Sequence, residues 1–202
     1  MSSAAGERAR LFIALDIPDS LRELIVGWQR RIAEPALRPV AAQALHVTLA
    51  FLGSRPMAEI EALGEVVEAL PAEPVDGRLE PESVPLPRRR PRLWALGVES
   101  PGAERLQAVL AERLGGLDLP GLELDKRRFW PHLTVFRLRG ARRESARAVA
   151  PRKLSHPLPG RDGHAFGFVR VALYRSQPRP EGSTYSRLAT IELPRSGGPQ
   201  KR

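Results

Sequence analysis

The sequence predicts an α+β protein of two related lobes that share a cleft. An apolar strand, a helix and a strand carrying His-x-Thr follow one another twice along the chain. The strand segments alternate polar and apolar side chains, whereas the helical segments repeat apolar residues three and four positions apart. Hydrophobic residues make up 42% of the 202, enough to bury a core. Two such repeats suggest two facing lobes.

The first repeat begins with the apolar run 11–17, LFIALDI, whose β-branched and aromatic residues predict a strand. A helix is expected next, from Ser20 as its N-cap to about Ala33. Residues 45–52, LHVTLAFL, then alternate as a strand does. Strict alternation gives this strand two faces, one with His46, Thr48 and Ala50 and the other with Leu45, Val47, Leu49 and Phe51.

The second repeat has the same order of elements. After the first repeat the sequence predicts a helix at 57–70 and a strand at 78–86. The second repeat is then a strand at 93–98, a helix at 103–114 and a strand at 131–138. A weaker helix at 142–149 and strands at 166–174 and 185–193 are expected after it. In the strand 131–138, alternation puts His132, Thr134 and Phe136 on one face.

The ends and the composition limit the kind of protein. Residues 1–9 are expected to be a flexible N-terminus, 10–194 a single two-lobed domain and 195–202 a disordered basic tail. Cysteine is absent, which excludes disulfides, thiolate nucleophiles and cysteine-ligated metals. No signal peptide and no run of about 18 apolar residues occurs. The sequence therefore predicts a soluble cytoplasmic protein without a membrane segment.

The net charge of +9 comes almost entirely from arginine, because lysine occurs only at positions 126, 153 and 201. The guanidinium fork matches phosphate oxygens bidentately, so this surface suits a polyanion. Genome composition would produce the same arginine excess. The charge therefore agrees with an RNA substrate without proving one.

The two His-x-Thr pairs are the candidate catalytic residues. In a strand, residues i and i+2 point the same way, so His46 with Thr48, and His132 with Thr134, each place an imidazole beside a hydroxyl. Two histidines near pKa 6.5 can share one proton at neutral pH. One can then take a proton from water and the other give one to the departing oxygen of a phosphodiester, without a metal. The threonines can donate to the non-bridging oxygens, and Arg137 adds positive charge.

Other residues favour ordinary roles. A single His-x-Thr is common in strands, but two copies in matched context make coincidence the poorer explanation. His156 and His164 lie among Pro, Gly and Arg and are expected in surface loops. Trp94 and Trp130 are expected in the core rather than as base-stacking platforms. No metal-binding or Gly-rich phosphate motif is present.

These motifs resemble the 2H phosphoesterases, and within them the bacterial and archaeal RNA 2′,3′-cyclic phosphodiesterases first described as 2′-5′ RNA ligases. The matching segments are RLFIALDIP at 10–18, HVTLAFLG at 46–53, PRLWALGV at 91–98, PHLTVFR at 131–137, and LYRS at 173–176 with the later Tyr185. The resemblance implies a bilobal, pseudo-twofold α+β fold with an antiparallel sheet in each lobe, helices outside and both motifs in a central cleft.

The resemblance also implies the residue roles. His46 would be the general acid that protonates the ribose 3′ oxygen, and His132 the general base that activates water, leaving a 2′-phosphate. The other implied contacts are with the phosphate, from Thr48, Thr134 and Arg137, and with the terminal nucleotide, from Phe51.

The implied substrate is RNA with 2′,3′-cyclic phosphate ends, tRNA fragments among the candidates, and the implied protein is a monomer without metal or cofactor. Ligation of 2′-5′ ends would be the reverse reaction. Two alternatives stay open: a related phosphodiesterase acting on a small cyclic nucleotide or 2′-5′ oligonucleotide, and a non-catalytic RNA-binding module, which would not need both acid–base partners. The basic run 88–90 and the C-terminal tail leave substrate preference open.

Overall fold

The computed structural model describes residues 7–139, 154, 156–160, 162–179 and 183–196. Within these residues the strands are β1 (Arg8–Asp16), β2 (Leu37–Pro39), β3 (His46–Pro56), β4 (Asp76–Leu86), β5 (Leu93–Glu99), β6 (His132–Leu138), β7 (His164–Gly167), β8 (Arg170–Gln177) and β9 (Thr184–Glu192). The α-helices are α1 (Asp19–Gln29), α2 (Ile60–Glu68) and α3 (Pro101–Gly115), and short 3₁₀ turns cover Ala42–Ala44 and Met57–Glu59.

The strands form one antiparallel sheet in the order β7-β4-β5-β6-β3-β1-β8-β9, and β2 pairs with β6. A single residue pair, Val47 with Leu133, joins β3 to β6. The sheet therefore has two halves, β3-β1-β8-β9 and β6-β5-β4-β7, and each begins with a His-x-Thr strand beside an apolar strand. The predicted α+β class is confirmed. The shared strand order supports the predicted duplication, which itself stays a prediction.

One predicted strand is two strands in the structure. The segment 166–174 is divided between β7, which pairs with β4, and β8, which pairs with β1. Between them Phe168 is buried, its amide bonds the Val75 carbonyl, and the Val169 amide bonds the Asp16 carbonyl. The chain therefore crosses from one half of the sheet to the other at a buried apolar residue, which conceals the break in the sequence pattern.

The helix ends also differ from the predictions. α1 begins after Pro18, whose carbonyl accepts the amides of the first turn, and no side chain caps it, so the predicted cap at Ser20 is wrong. α1 ends at Gln29 rather than near residue 33. α3 is capped by Ser100, whose Oγ accepts the Ala103 amide. The predicted helix at 142–149 lies outside the described residues, as do 1–6 and 197–202 of the predicted termini.

The helices cover one face of the sheet. Residues 9, 11, 13 and 15 of β1 pack with apolar residues of all three helices in the main core. On the opposite face, Phe12 and Ala14 form a small separate cluster with Ala172 and Tyr174 of β8. Among the described residues no helix packs in that second cluster, and we call this side of the sheet the open face. Among the described residues, no helix has the length and apolarity to cross a membrane.

Candidate active site

The junction between the two sheet halves brings the His-x-Thr pairs together. Val47 and Leu133 are paired and fully buried in the helix-covered core. Extending this antiparallel register by one residue in each direction sets His46 across from Thr134, and Thr48 across from His132. These neighbours point to the opposite, open face, where directly opposed Cβ atoms lie about 5 Å apart. All four residues are half-buried.

A β-bulge follows each motif at the same place. The first extra residue is Leu49 in β3 and Val135 in β6, and each lies three positions after its histidine; β3 has a second extra residue at Leu52. A bulge reverses the alternation of faces in the strand. The side chains five positions after each histidine, Phe51 and Arg137, therefore return to the open face, and both are exposed.

The prediction of strict alternation is wrong beyond the bulges. Phe51, predicted on the same face as Val47, is 68% exposed. Ala50 and Phe136, predicted on the histidine face, instead pack in the main core, where Phe136 is 2% exposed. The bulges depend on the partner strands β1 and β5, so the pattern within β3 or β6 alone carries no signal for them.

Aromatic rings hold the His46 side chain. Phe12 of β1 stacks on the imidazole with ring centroids 4.9 Å apart and planes 27° apart. Tyr185 of β9 meets the ring edge-on, with centroids 5.4 Å apart. Phe12 is itself stacked on Tyr174 at 5.2 Å. Contacts on two sides limit the orientations that the imidazole can adopt.

Burial lowers the pKa of His46 to about 4. A hydrogen bond with the Ala44 backbone acts in the opposite direction, and the positive charges of Arg137 and Arg22, with a smaller effect of His132, lower the pKa further. His46 is therefore neutral at pH 7 in the protein without substrate. A negative charge placed beside this buried ring would favour its protonated form.

His132 is held in one tautomer by the residue two positions before it. Its Nδ1 lies 2.8 Å from the Trp130 carbonyl oxygen. Because a carbonyl only accepts, Nδ1 of the neutral ring carries the hydrogen, and the lone pair of Nε2 is available to take a proton. The Trp130 indole also stacks on the imidazole, with centroids 4.8 Å apart. Trp130 is 39% exposed, so its predicted core position is wrong, whereas Trp94 is fully buried as predicted.

A carboxylate that the sequence reasoning missed lies across from His46. Asp16 of β1 pairs with His46 in the ladder and is 8% exposed. It accepts a hydrogen bond of 2.6 Å from the Tyr174 hydroxyl and lies 3.8 Å from Nε of Arg170. Burial and the bond to Asp16 raise the pKa of Tyr174, so its hydroxyl stays protonated as the donor. This pair anchors the aromatic stack beneath His46.

The second histidine has a different neighbour. Gly97 of β5 pairs with His132, and the carboxylate of Glu80 from β4 lies over this glycine. A Cβ atom at position 97 would come within 2.1 Å of Glu80 Oε2. Glycine at this position therefore leaves room for an acidic side chain on the open face beside His132. Sequence periodicity cannot reveal this neighbour, because it comes from another strand.

Replacing Tyr174 by phenylalanine is expected to lower the free energy of unfolding by about 1.5 to 3 kcal/mol, because it leaves the buried Asp16 carboxylate without its hydroxyl donor. Urea denaturation measures this difference. The matched control is Tyr185→Phe, since that hydroxyl has no hydrogen-bond partner among the described residues. Equal stability of the two variants would show that the Asp16 bond does not anchor the stack.

The remaining histidines lie apart from the two motifs. His164 begins β7, contrary to its predicted loop, and its Nε2 lies 2.5 Å from the Pro159 carbonyl oxygen. His156 is exposed, as predicted. Within the described part of the chain, no group of three or more His, Cys, Asp or Glu side chains is arranged to hold a metal ion.

An antiparallel α+β fold in which two His-x-Thr pairs meet on one sheet face is that of a 2H phosphoesterase, as the sequence resemblance implied. The chain belongs to the 2′-5′ RNA ligase superfamily, whose family model matches residues 17–173.

Similar sequences and solved structures extend the likeness over nearly the whole chain. The RNA 2′,3′-cyclic phosphodiesterase of Thermus thermophilus is 34% identical over 194 residues, which cover 91% of this chain and 90% of the relative. The crystal structure of TT0787 of Thermus thermophilus has a TM-score of 0.69 and 31% identity, covering 91% of this chain and 97% of that one. Escherichia coli LigT complexed with 3′-AMP has a TM-score of 0.70 and 26% identity, covering 93% and 99%.

Proposed function

We propose that this protein hydrolyses RNA 2′,3′-cyclic phosphate ends to 2′-phosphate ends, with His46 and His132 as the acid–base pair and without a metal ion. The observation that carries the proposal is the register at the Val47–Leu133 pair, which sets each histidine across from the threonine of the other motif. The similarity to the RNA 2′,3′-cyclic phosphodiesterase of Thermus thermophilus supports it.

In the proposed reaction His132 acts as the base. Its Nε2 takes a proton from water, and the water oxygen attacks the phosphorus. The bond from phosphorus to the ribose 3′ oxygen breaks as His46 gives that oxygen a proton, so the phosphate stays on the 2′ oxygen. Each proton transfer contributes about 10² to 10⁴ in rate.

The other open-face residues stabilise charge on the phosphate. Thr48 and Thr134 donate hydrogen bonds to the non-bridging oxygens, where negative charge increases in the transition state. Arg137, whose charge already affects His46, adds a full positive charge near them. Ligation would use the same groups in reverse, with a ribose hydroxyl in the place of water, and the excess of water favours hydrolysis.

Substrate binding is expected to protonate His46. Its pKa of about 4 leaves it neutral at pH 6, and the negative charge of a bound cyclic phosphate raises that pKa. Calorimetry in buffers of different ionisation enthalpy should therefore detect proton uptake when a His132→Ala variant binds a 2′,3′-cyclic nucleotide, whose own charge is constant at this pH. The double variant with His46→Ala should take up none. Binding without proton uptake would contradict the acid role of His46.

The function itself is tested with an RNA oligonucleotide ending in a 2′,3′-cyclic phosphate and with a 2′,3′-cyclic mononucleotide, each in EDTA. We expect turnover of the RNA in EDTA at the rate seen without it. Loss of activity that added metal restores would contradict the metal-independent mechanism. Turnover of the mononucleotide alone would favour the small cyclic nucleotide as substrate.

A further inference from the structure

The open face that carries the site continues along β1 to a group of arginines. Successive residues of a strand alternate between faces, so Asp16, Phe12, Arg10 and Arg8 share the open face. Asp16 is paired with His46 and Phe12 stacks on it. The six steps along β1 from Asp16 to Arg10 span about 20 Å. Arg10 is two positions and Arg8 four positions beyond Phe12, so both lie further along this face than the ring that stacks on His46.

These arginines line a groove together with the end of β8 and the residues that follow it. The groove has a volume of about 380 Å³ and is lined by Arg8, Ala9, Arg10, Arg175, Ser176, Gln177, Pro178 and Arg179. We call it the arginine groove. Its single ion pair in the described chain joins Arg175 to Glu7 at 3.1 Å. Arg10 and Arg179 are exposed and have no carboxylate partner among the described residues, so the groove is strongly positive.

Aromatic side chains lie between the arginine groove and His46. Tyr185 pairs with Ser176, which in turn pairs with Arg10, so the three form one row across the sheet. The Tyr185 ring also meets the His46 ring edge-on. Phe51, on the other side of β1, is largely exposed. Single-stranded nucleic acid is bound by this combination, in which aromatic faces stack bases and arginines contact the backbone.

We propose that the arginine groove binds backbone phosphates of single-stranded RNA on the 5′ side of the reacting end. The proposal rests on the function proposed above and adds a substrate preference to it. Because the cyclic phosphate is at the 3′ end, the rest of the strand must leave the site on its 5′ side, and Arg10 and Arg8, on the same face as His46, lead to the groove that accepts it. Oligonucleotides are then better substrates than cyclic mononucleotides.

The test compares one groove variant, Arg10→Gln with Arg179→Gln, on two substrates. For a cyclic-phosphate oligonucleotide of about ten nucleotides, we expect kcat/KM to fall about tenfold, through KM, and the slope of log affinity against log salt to decrease by about 1.4, or 0.7 for each lost phosphate contact. For the cyclic mononucleotide, kcat/KM should be unchanged. Arg10→Lys with Arg179→Lys should keep most of the preference.

Two control pairs of substitutions distinguish an effect of the arginine groove from an effect of the overall positive charge. Arg30→Gln with Arg31→Gln removes two exposed charges at the end of α1 and should leave the preference for RNA intact. Arg88→Gln with Arg89→Gln removes two exposed charges at the turn between β4 and β5. If this second pair abolishes the preference while the groove variant keeps it, the groove proposal is overturned.

RNA binding is measured separately from catalysis, so that the proposed reaction and the proposed groove can each be contradicted without the other. Fluorescence anisotropy of an oligonucleotide ending in a 2′-phosphate should show about tenfold weaker binding to the groove variant than to the native protein. Equal affinity would overturn the groove, whatever the activity. If the native protein opens no cyclic phosphate but this difference in affinity is found, the proposed reaction fails and the RNA groove stands.

Discussion

Alanine in place of His46 or of His132 is expected to lower kcat for a cyclic-phosphate RNA by about 10² to 10⁴ in each case, because each variant removes one of two proton transfers. The double variant should be little slower than the slower single variant, since residues that act in one transition state are not additive. Single-turnover kinetics with radiolabelled RNA measures these rates.

The control for this pair is His164→Ala. His164 is the first residue of β7, and its imidazole bonds the Pro159 carbonyl and does not contact the site. Its turnover should match the native protein. Thermal unfolding of all the variants shows whether the fold is kept. A folded His46 or His132 variant with native turnover would refute the assignment of that residue to catalysis.

Valine in place of Thr48 or of Thr134 is expected to lower kcat by about 10² to 10³, because valine keeps the shape of threonine and removes the hydroxyl that donates to the phosphate. The effect belongs in kcat rather than KM, since the charge on the non-bridging oxygens grows in the transition state. Serine at either position keeps the hydroxyl and should restore most of the rate. Steady-state kinetics over a range of substrate concentrations separates the two parameters.

The control here is Thr184→Val, at an exposed position of β9. It should leave both kcat and KM unchanged. If Thr48→Val or Thr134→Val raises KM without lowering kcat, the hydroxyl binds the ground state as strongly as the transition state and does not act selectively on the chemical step. If serine is as poor as valine, the site requires the methyl group as well as the hydroxyl, and the hydroxyl alone does not account for the rate.

The sequence identified the two motifs and their strands because alternation requires only local residues. His46 and Thr48, and likewise His132 and Thr134, share a face in the structure as period two predicts. The repeated order of elements also anticipated two related halves of the sheet. Their exact meeting point, the Val47–Leu133 pair, depends on a long-range register that no local pattern contains.

Other features lay beyond sequence reasoning for definite physical reasons. The bulges at Leu49 and Val135 exist only relative to β1 and β5, so alternation placed Phe51 on the wrong face while the family resemblance placed it near the substrate. Asp16 and Glu80 become neighbours of the histidines only through strand pairing.

The charge state of His46 is a further change from the sequence-based expectation. An isolated histidine near pKa 6.5 suggests a group that is partly protonated at neutral pH. Burial and the charges around it lower the pKa of His46 to about 4. In the proposed mechanism His46 is therefore protonated only after the substrate binds, since the phosphate anion supplies the negative charge that favours the protonated imidazole.

The product of the reaction tests the central claim most directly. RNA ending in a 2′,3′-cyclic phosphate is incubated with the native protein in EDTA and oxygen-18 water, and the product is analysed by phosphorus NMR. The two-histidine mechanism predicts a 2′-phosphomonoester carrying one oxygen-18 atom, formed at the same rate with and without the chelator. A 3′-phosphate product, or a cyclic phosphate that stays closed in EDTA, would contradict it.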